Sequence, residues 1–253
     1  MRTLDILLLL TLAAALLWLI FKLRPAYFVG RGNAEMLKGN EEKAAAYFAK
    51  AAREPYAKPQ HKHSYAFILM KSGKAAEAER LLRAELARTK PGTLVRMQTE
   101  THLATAMWLT GQREEAVEIL AKLNEKYKNS TIYGNLGYFR LLLGQNLEET
   151  LEYNKEAYAY NDSDTTILDN LAQNYYLLGR YEEAAEWYAK VMERKPKYAE
   201  SYYYYARTLL TLGRIEEAKE HARLAGEKPL AMVTGLDRAA IDALQVDIEK
   251  AAR

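Results

Sequence analysis

The strongest constraint on the fold of this chain is a glycine that returns at a nearly fixed interval. Successive members of the series are 33 to 38 residues apart. Apolar residues on either side recur at three- and four-residue spacing, which predicts one helix before and one helix after each glycine. A tight turn between two helices favours glycine, because glycine adopts positive φ without steric cost. The recurring glycines are Gly39, Gly73, Gly111, Gly144, Gly179 and Gly213.

Each period carries a small residue after its glycine, and four of the six periods then carry a larger apolar residue. The small residue comes five positions after the glycine, where a short side chain lets two helices approach closely. In the fourth copy one inserted residue shifts it to Thr150. A lone hairpin cannot bury its apolar face, so the repetition predicts hairpins that cover one another. The small residues are Ala44, Ala78, Ala116, Thr150, Ala184 and Ala218, and the larger ones are Phe48, Leu82, Leu120 and Tyr188.

Six such copies, from residue 25 to residue 230, resemble tetratricopeptide repeats. The motif of that family has a large residue, leucine, a small residue and tyrosine in the first helix, followed by alanine, an aromatic residue and proline in the second. The resemblance implies an all-α fold, a right-handed superhelix in which the first helices line a concave groove. The fifth copy matches at Leu168, Leu171, Ala172, Tyr175, Ala184, Tyr188 and Pro196.

Residues 231–253 follow the last repeat and predict a C-terminal capping helix. Within Leu236 to Ala251, the side chains of Ala240, Leu244 and Ile248 share one face, and polar side chains occupy another. Repeat arrays need a terminal helix of this kind, because its apolar face covers the last hairpin while its polar face meets water.

The N-terminus predicts a membrane anchor. Ile6 to Phe21 contains no charged residue and is bounded by Asp5 and Lys22. A helix of sixteen residues rises ~24 Å, and its flanks extend it toward the ~30 Å hydrocarbon core. We therefore expect residues 4–23 to span the bilayer, within an anchor domain of residues 1–24. In this plan the chain resembles N-terminally anchored tetratricopeptide repeat proteins of bacteria.

A cleaved signal peptide is the alternative interpretation of the same segment. Ala13 to Ala15 is a poor cleavage site because it lies inside the apolar run, and Lys22 and Arg24 directly after the run disfavour cleavage. Basic residues after the span outnumber Arg2 before it. The positive-inside rule therefore predicts a single-pass protein of the cell membrane with its repeats in the cytoplasm.

The groove lining follows from the register of the first helices. The places eleven, eight, seven and four before each glycine form the packing stripe, so the places ten, six and three before it are expected to face the groove. Aromatic residues at helical spacing also fit the core between hairpins, and both interpretations stay open for the rings. The expected groove residues are His63, Phe67, Met70, Thr105, Trp108, Tyr138, Asp169, Gln173, Tyr176, Tyr203 and Arg207.

Composition and motifs argue against several other classes of function. With 36 basic and 33 acidic residues the chain lacks the concentrated basic charge of a nucleic-acid-binding protein. It has no cysteine, which excludes disulfides and thiolate metal sites. His61 and His63 point apart on a helix, so we expect no metal site there. No phosphate loop or nucleophile motif is present, and we expect neither a cofactor nor catalysis.

These features together predict a membrane-anchored scaffold. Its groove would bind a peptide or helix of a protein partner and hold that partner at the bilayer, because aromatic linings favour such contacts. The alternative is a chaperone-like accessory of a secretion or translocation channel, with the repeats outside the cytoplasm. The sequence leaves the identity of the partner and the oligomeric state open.

Overall fold

A computed structural model describes residues 3–252 of the chain. Those residues form thirteen α-helices and no β-strand, so the predicted all-α fold class is confirmed. The chain forms two compact units, unit 1 (Met1–Gln112) and unit 2 (Arg113–Arg253).

Unit 1 is built from two layers of helices. Helix α3 contacts both α1 and α5, so the odd-numbered helices form one layer, and α2 and α4 pack between consecutive members of it. We call the surface of the first layer the odd-helix face of unit 1. The helices are α1 (Thr3–Leu37), α2 (Glu41–Arg53), α3 (Pro59–Lys71), α4 (Ala75–Leu86) and α5 (Leu94–Leu109).

Unit 2 repeats this arrangement. Helix α9 contacts α7 and α11, and α11 contacts α13, which gives a second odd-helix face. The helices are α6 (Arg113–Lys126), α7 (Ser130–Leu143), α8 (Leu147–Tyr160), α9 (Thr165–Leu177), α10 (Tyr181–Glu193), α11 (Ala199–Thr211), α12 (Ile215–Glu227) and α13 (Arg238–Ala251).

The six recurring glycines all have positive φ, which confirms the prediction from their spacing. At Gly179, φ is +74°. The Gly179 N–H donates to the Tyr176 carbonyl and the Arg180 N–H donates to the Tyr175 carbonyl, both at 3.0 Å. These two bonds satisfy carbonyl groups that the end of a helix otherwise leaves unpaired. The glycine thus ends one helix and directs the chain into the next.

The small residues are buried between packed helices. Ala184 and Ala218 have no exposed surface, and Thr150 is 1% exposed. The larger apolar residues that follow them, such as Leu120 and Tyr188, are fully buried as well. The predicted core of the hairpins is therefore confirmed.

In the fourth hairpin, glycine and asparagine side chains replace part of the apolar packing. A Cβ atom at Gly137 of α7 would lie 2.2 Å from Asn154 Oδ1 of α8, so only glycine fits this position. Asn154 Nδ2 donates to Asn174 Oδ1 (3.0 Å), and Asn174 Nδ2 donates to the Leu147 carbonyl (2.9 Å). The buried amides thereby connect α8 to α9.

Helix α1 contains both the apolar run and the first helix of the first hairpin. The predicted boundary between residues 24 and 25 therefore falls inside one continuous helix, next to Pro25. The C-terminal half of α1 packs on α2, where Gly32 faces the Phe48 ring. By length and composition α1 could cross a membrane, and a signal sequence near the N-terminus has the same properties.

The terminal helix α13 differs in detail from its prediction. It begins at Arg238 because the Asp237 side chain accepts a hydrogen bond from the Ala240 N–H (2.8 Å). Its buried face is formed by Ile241, Leu244 and Ile248. Ala240, which was expected on the buried face, is only half-buried. The helix presents the next residue, Ile241, to α12 and α11 instead.

The small-residue packing predicts the effect of Ala184→Leu. Three extra carbon atoms at a fully buried site should overpack the helices and lower the free energy of unfolding by ~1–3 kcal/mol. Equilibrium denaturation of the full chain in detergent, followed by circular dichroism, measures this loss. Ala189→Leu makes the same change at an exposed position of α10 and should change stability by less than ~0.5 kcal/mol. Equal effects of the two changes would contradict the assigned packing.

Candidate protein-binding faces

The odd-helix face of unit 1 contains an open cavity of about 440 Å³. His63 and Phe67, both predicted as groove residues, line it. Phe67 is 44% exposed, which leaves a large part of its ring free for contact with another molecule. The remaining lining residues are Asn33, Met36, Phe48, Ser64, Ile68 and His102.

Two histidines from adjacent odd-numbered helices meet in this cavity. The rings of His63 and His102 are 5.0 Å apart, and His63 Nε2 is 2.9 Å from Thr99 Oγ1. Burial lowers the pKa of His102 and, together with the neighbouring His102, lowers the pKa of His63 to about 4. Both rings are therefore neutral at pH 7, and the cavity is apolar in character. No sequence pattern indicated His102, because its approach to His63 depends on how α3 packs against α5.

The other expected groove residues of unit 1 are buried in its packing. Met70 is 3% exposed, Trp108 is 5% exposed and Thr105 is 8% exposed. Thr105 Oγ1 donates to the Thr101 carbonyl within its own helix (3.3 Å). None of the three lines the cavity.

One part of the odd-helix face of unit 2 consists of tyrosines in tilted and edge-on contact and an arginine. The exposed Arg207 lies 5.9 Å from the centre of the Tyr176 ring and 5.8 Å from that of Tyr203, and it donates to the Tyr203 hydroxyl (3.1 Å). Tyr204, which the register did not indicate, contacts Tyr176 at a ring distance of 5.4 Å. The structure thus brings together three predicted residues and one additional ring.

The other part of this face is acidic. Asp169 of α9 and Glu200 of α11 are close enough to repel each other electrostatically, and Ser201 hydrogen-bonds to Asp169. Burial, assisted by Glu200, raises the pKa of Asp169 from its ordinary value of 3.8 to about 7. Burial likewise raises the pKa of Tyr138, which faces the same two carboxyl groups. We call this group of side chains, together with Gln173, the acidic cluster.

Several acceptor atoms of the acidic cluster are buried without a hydrogen-bond partner among the described residues. These atoms are Asp169 Oδ1, Gln173 Oε1 and Glu200 Oε2. Gln173 is 2% exposed and Glu200 is 5% exposed, so the protein itself withdraws both from water. Buried acceptors are nearly always paired. The cluster therefore has unused capacity to accept hydrogen bonds.

Neither face has the ligand set of a metal centre. Within residues 3–252 no group of three or more histidine, aspartate or glutamate side chains could hold a metal ion. The chemistry of both faces is hydrogen bonding, ring contact and charge pairing.

Two family models match parts of the chain, and both describe a tetratricopeptide repeat. One covers residues 175–228 and the other covers residues 101–130. The matched segments include the fifth and sixth glycines on unit 2 and the third glycine at the end of unit 1. No curated protein matches the sequence significantly.

Solved structures of repeat proteins are similar to the chain at low sequence identity. A tetratricopeptide repeat protein from Parabacteroides merdae is 15% identical, with a TM-score of 0.61 over 90% of this chain and 87% of that one. Pseudomonas aeruginosa pilF is 16% identical, with a TM-score of 0.61 over 88% and 97%.

A chain of the APC/C hetero-tetramer Cut9–Hcn1 is 13% identical, with a TM-score of 0.70 over 89% of this chain and 42% of that one. At these identities the similarity establishes the fold. The chain therefore contains tetratricopeptide repeats, and its helical hairpins have the fold of a tetratricopeptide repeat solenoid.

Proposed function

We propose that this protein is a membrane-anchored scaffold that binds a peptide or helix of a protein partner and holds that partner at the bilayer. The observation that carries the proposal is the accessibility of large side chains on the odd-helix faces. Phe67 beside the cavity of unit 1, and Arg207 with Tyr176 on unit 2, are placed where they can contact another molecule. A few residues contribute most of the binding energy in protein interfaces, and tryptophan, tyrosine and arginine are enriched among them.

The anchor is supported by the surroundings of the apolar run in α1. None of its most apolar window is buried by protein, and its large side chains from Ile6 to Leu23 are 44–62% exposed. An apolar surface of this extent is stable in lipid and costly in water. Lys22 and Arg24 follow the run, as expected at the polar boundary of a bilayer. The residues Met1 and Arg2, on which the predicted orientation depends, lie outside the described part of the chain.

The connection from the anchor to the first hairpin is rigid in this proposal. Arg24 pairs with Glu54 at the end of α2 (3.1 Å), and Phe28 stacks on Tyr47 of α2 at a ring distance of 6.4 Å. A continuous helix with these contacts holds unit 1 at the membrane surface without a flexible linker. We therefore expect partners that are themselves membrane-associated. In this proposal the repeats lie in the cytoplasm, and the chain has no catalytic role.

Charge placed in the apolar run should release the protein from membranes. Leu12→Arg with Leu16→Arg costs ~2.5–3.5 kcal/mol per arginine at the centre of a span. We expect the variant to leave the membrane pellet after an alkaline wash, whereas the unmodified chain stays in it. Leu94→Arg with Val246→Arg changes two exposed apolar residues outside the run and should stay in the pellet.

The mass of the membrane-bound protein decides between anchor and signal peptide. A mass that includes residues 4–23 supports the anchor. A mass that lacks these residues shows that the segment is cleaved and contradicts the anchor. A topology reporter fused after residue 253 tests the cytoplasmic orientation, which an extracytoplasmic signal would overturn.

Photo-crosslinking should locate the partner on the odd-helix faces. A benzoylphenylalanine at position 67 or 207 is expected to form an adduct with a partner in native membranes, because both side chains are exposed there. The same amino acid at Lys122 of α6 or Glu186 of α10, both exposed on even-numbered helices, should form few adducts. If adducts formed only from the even-numbered helices, the partner would bind there, and the proposed binding to the odd-helix faces would be wrong.

The cost of burying Asp169 predicts a specific pH dependence of stability. Its pKa is raised on folding, so the folded state holds the proton more tightly and loses relative stability as pH rises from about 4 to about 7. Asp169→Asn removes this proton. We expect the variant to gain stability relative to the unmodified chain across that range, as measured by denaturation at several pH values. The exposed Asp242→Asn is the matched control and should show no such trend.

A further inference from the structure

The ten residues 228–237 between α12 and α13 form an unusually long connection within unit 2. The corresponding connections from α8 to α9 and from α10 to α11 comprise only residues 161–164 and 194–198. The ends of the long connection are extended, as the backbone angles of Lys228 and Asp237 show. We call its central part, Leu230–Leu236, the cover segment.

The cover segment reaches both helices that flank α9. At its start, the Ala231 N–H donates to Glu200 Oε1 of α11 (3.0 Å). Near its end, a Cβ atom at Gly235 would lie 2.9 Å from Leu142 Cδ2 of α7. Thr234 lies within hydrogen-bonding reach of the Tyr138 hydroxyl on α7. Because α9 lies between α7 and α11, a segment that contacts both of them passes over the acidic cluster.

The contacts of the cover segment resemble those of a bound peptide. A backbone N–H is paired with a buried carboxylate, and the Pro229 carbonyl just before the segment accepts from the Ala199 N–H (2.9 Å). Leu236 is buried in the core of unit 2 at its end. The segment uses one Glu200 oxygen and leaves the other unpaired, together with Asp169 Oδ1 and Gln173 Oε1.

The unpaired atoms define what a better ligand would carry. All three accept hydrogen bonds and two belong to carboxyl groups, so the matching group donates several hydrogen bonds and is positively charged. The neighbouring Tyr204 ring offers a surface that favours a cation as well. An arginine or lysine side chain has these properties, and the cover segment contains neither.

We propose that the partner inserts an arginine or lysine side chain of an extended segment into the acidic cluster, and that the cover segment is a built-in occupant which the partner displaces. The inference rests on the proposed peptide-binding function and adds its chemistry and its location. In the free protein the cover segment pairs with one Glu200 oxygen and shields the remaining unpaired acceptors from other cations.

The first experiment fixes the cover segment in place. The natural chain has no cysteine, so Leu142→Cys with Gly235→Cys introduces one pair, and the smaller side chain at 142 makes room for the one at 235. Dibromobimane becomes fluorescent when it bridges two thiols. We expect bridging within the full-length double variant in detergent and none within either single variant. Failure of the double variant to bridge, with its circular dichroism unchanged, overturns the position of the segment.

The second experiment measures peptide binding before and after bridging. The probe is a labelled peptide Pro-Leu-Arg-Met-Val-Thr-Gly-Leu, which copies residues 229–236 with arginine in place of Ala231. Its control has citrulline, the uncharged analogue of arginine, at the same position. We expect the arginine peptide to bind the unbridged protein about tenfold or more tightly than the citrulline peptide. Bridging should weaken the binding of the arginine peptide by a similar factor.

Glu200→Gln supplies the matched test of charge. It keeps the shape and an acceptor oxygen for Ala231, and it should abolish the preference for arginine over citrulline. Equal binding of the two peptides to the unmodified face overturns the charge assignment. Equal binding to bridged and unbridged protein overturns the covering role, and no binding to either form overturns the whole inference. Photo-crosslinking from position 207 tests whether a partner binds the odd-helix face at all, and it does so independently of these outcomes.

A further variant keeps the covering role testable if the double cysteine variant does not fold. Ala231→Pro removes the N–H that Glu200 accepts from, and residue 231 lies outside the helices, where proline breaks no helical hydrogen bond. It should release the cover segment and raise the affinity of the arginine peptide. An unchanged or lower affinity in a folded variant contradicts displacement.

Discussion

The fold depends on the close packing of two helices across a very small side chain. At Ala184 the neighbouring helix leaves no exposed surface, and at Gly137 even a methyl group would meet Asn154. Such contacts are strong because dispersion falls steeply with distance and a packed interior leaves no gaps. The glycine turns add to this by ending each first helix at a defined residue. Hairpins fixed in this way pack in register, which produces the two layers seen in each unit.

The layered arrangement also decides where function can reside. The even-numbered helices pack between the odd-numbered ones, so large side chains on the odd-helix faces can remain partly accessible. On unit 2 the accessible side chains lie near buried polar groups whose burial lowers the stability of the fold. Burial raises the pKa of Asp169 to about 7, and Glu200 leaves one oxygen unpaired. Groups that cost stability without serving the packing are typical of sites that serve a ligand.

Helix α1 joins two environments in one element. Its first part has an apolar surface with no protein around it, and its second part packs on α2 through Gly32 and Phe48. The junction is stabilised by the ion pair of Arg24 with Glu54. Because the helix is continuous, a force or tilt applied to the apolar part is transmitted directly to the first hairpin. The boundary predicted between residues 24 and 25 lies inside this continuous helix, which favours a rigid connection.

Part of the candidate site could be read from the register and part could not. Counting back from the glycines placed His63 and Phe67 beside a cavity, and Tyr176, Tyr203 and Arg207 in one group. The same counting chose Met70 and Trp108, which are buried away from the cavity, and the side chains of His63 and Tyr203 are themselves only 6% exposed. The residue three places before a glycine lies in the last helical turn, where it can pack over the turn, as the Tyr176 ring does against Tyr181. Helical geometry alone does not decide whether such a side chain is buried between helices or remains accessible on the odd-helix face.

The sequence by itself determined the secondary structure, the hairpin turns and the core of the repeats. These features follow from local rules, since the φ of a glycine, the period of a helix and the burial of a small residue recur in every copy. Only the tertiary structure decided which side chains from different helices meet. The approach of His63 to His102, the position of Glu200 beside Asp169 and the contacts of the cover segment with α7 and α11 all join residues distant in sequence. Such contacts depend on the angles and distances between packed helices, which no single segment of the chain specifies.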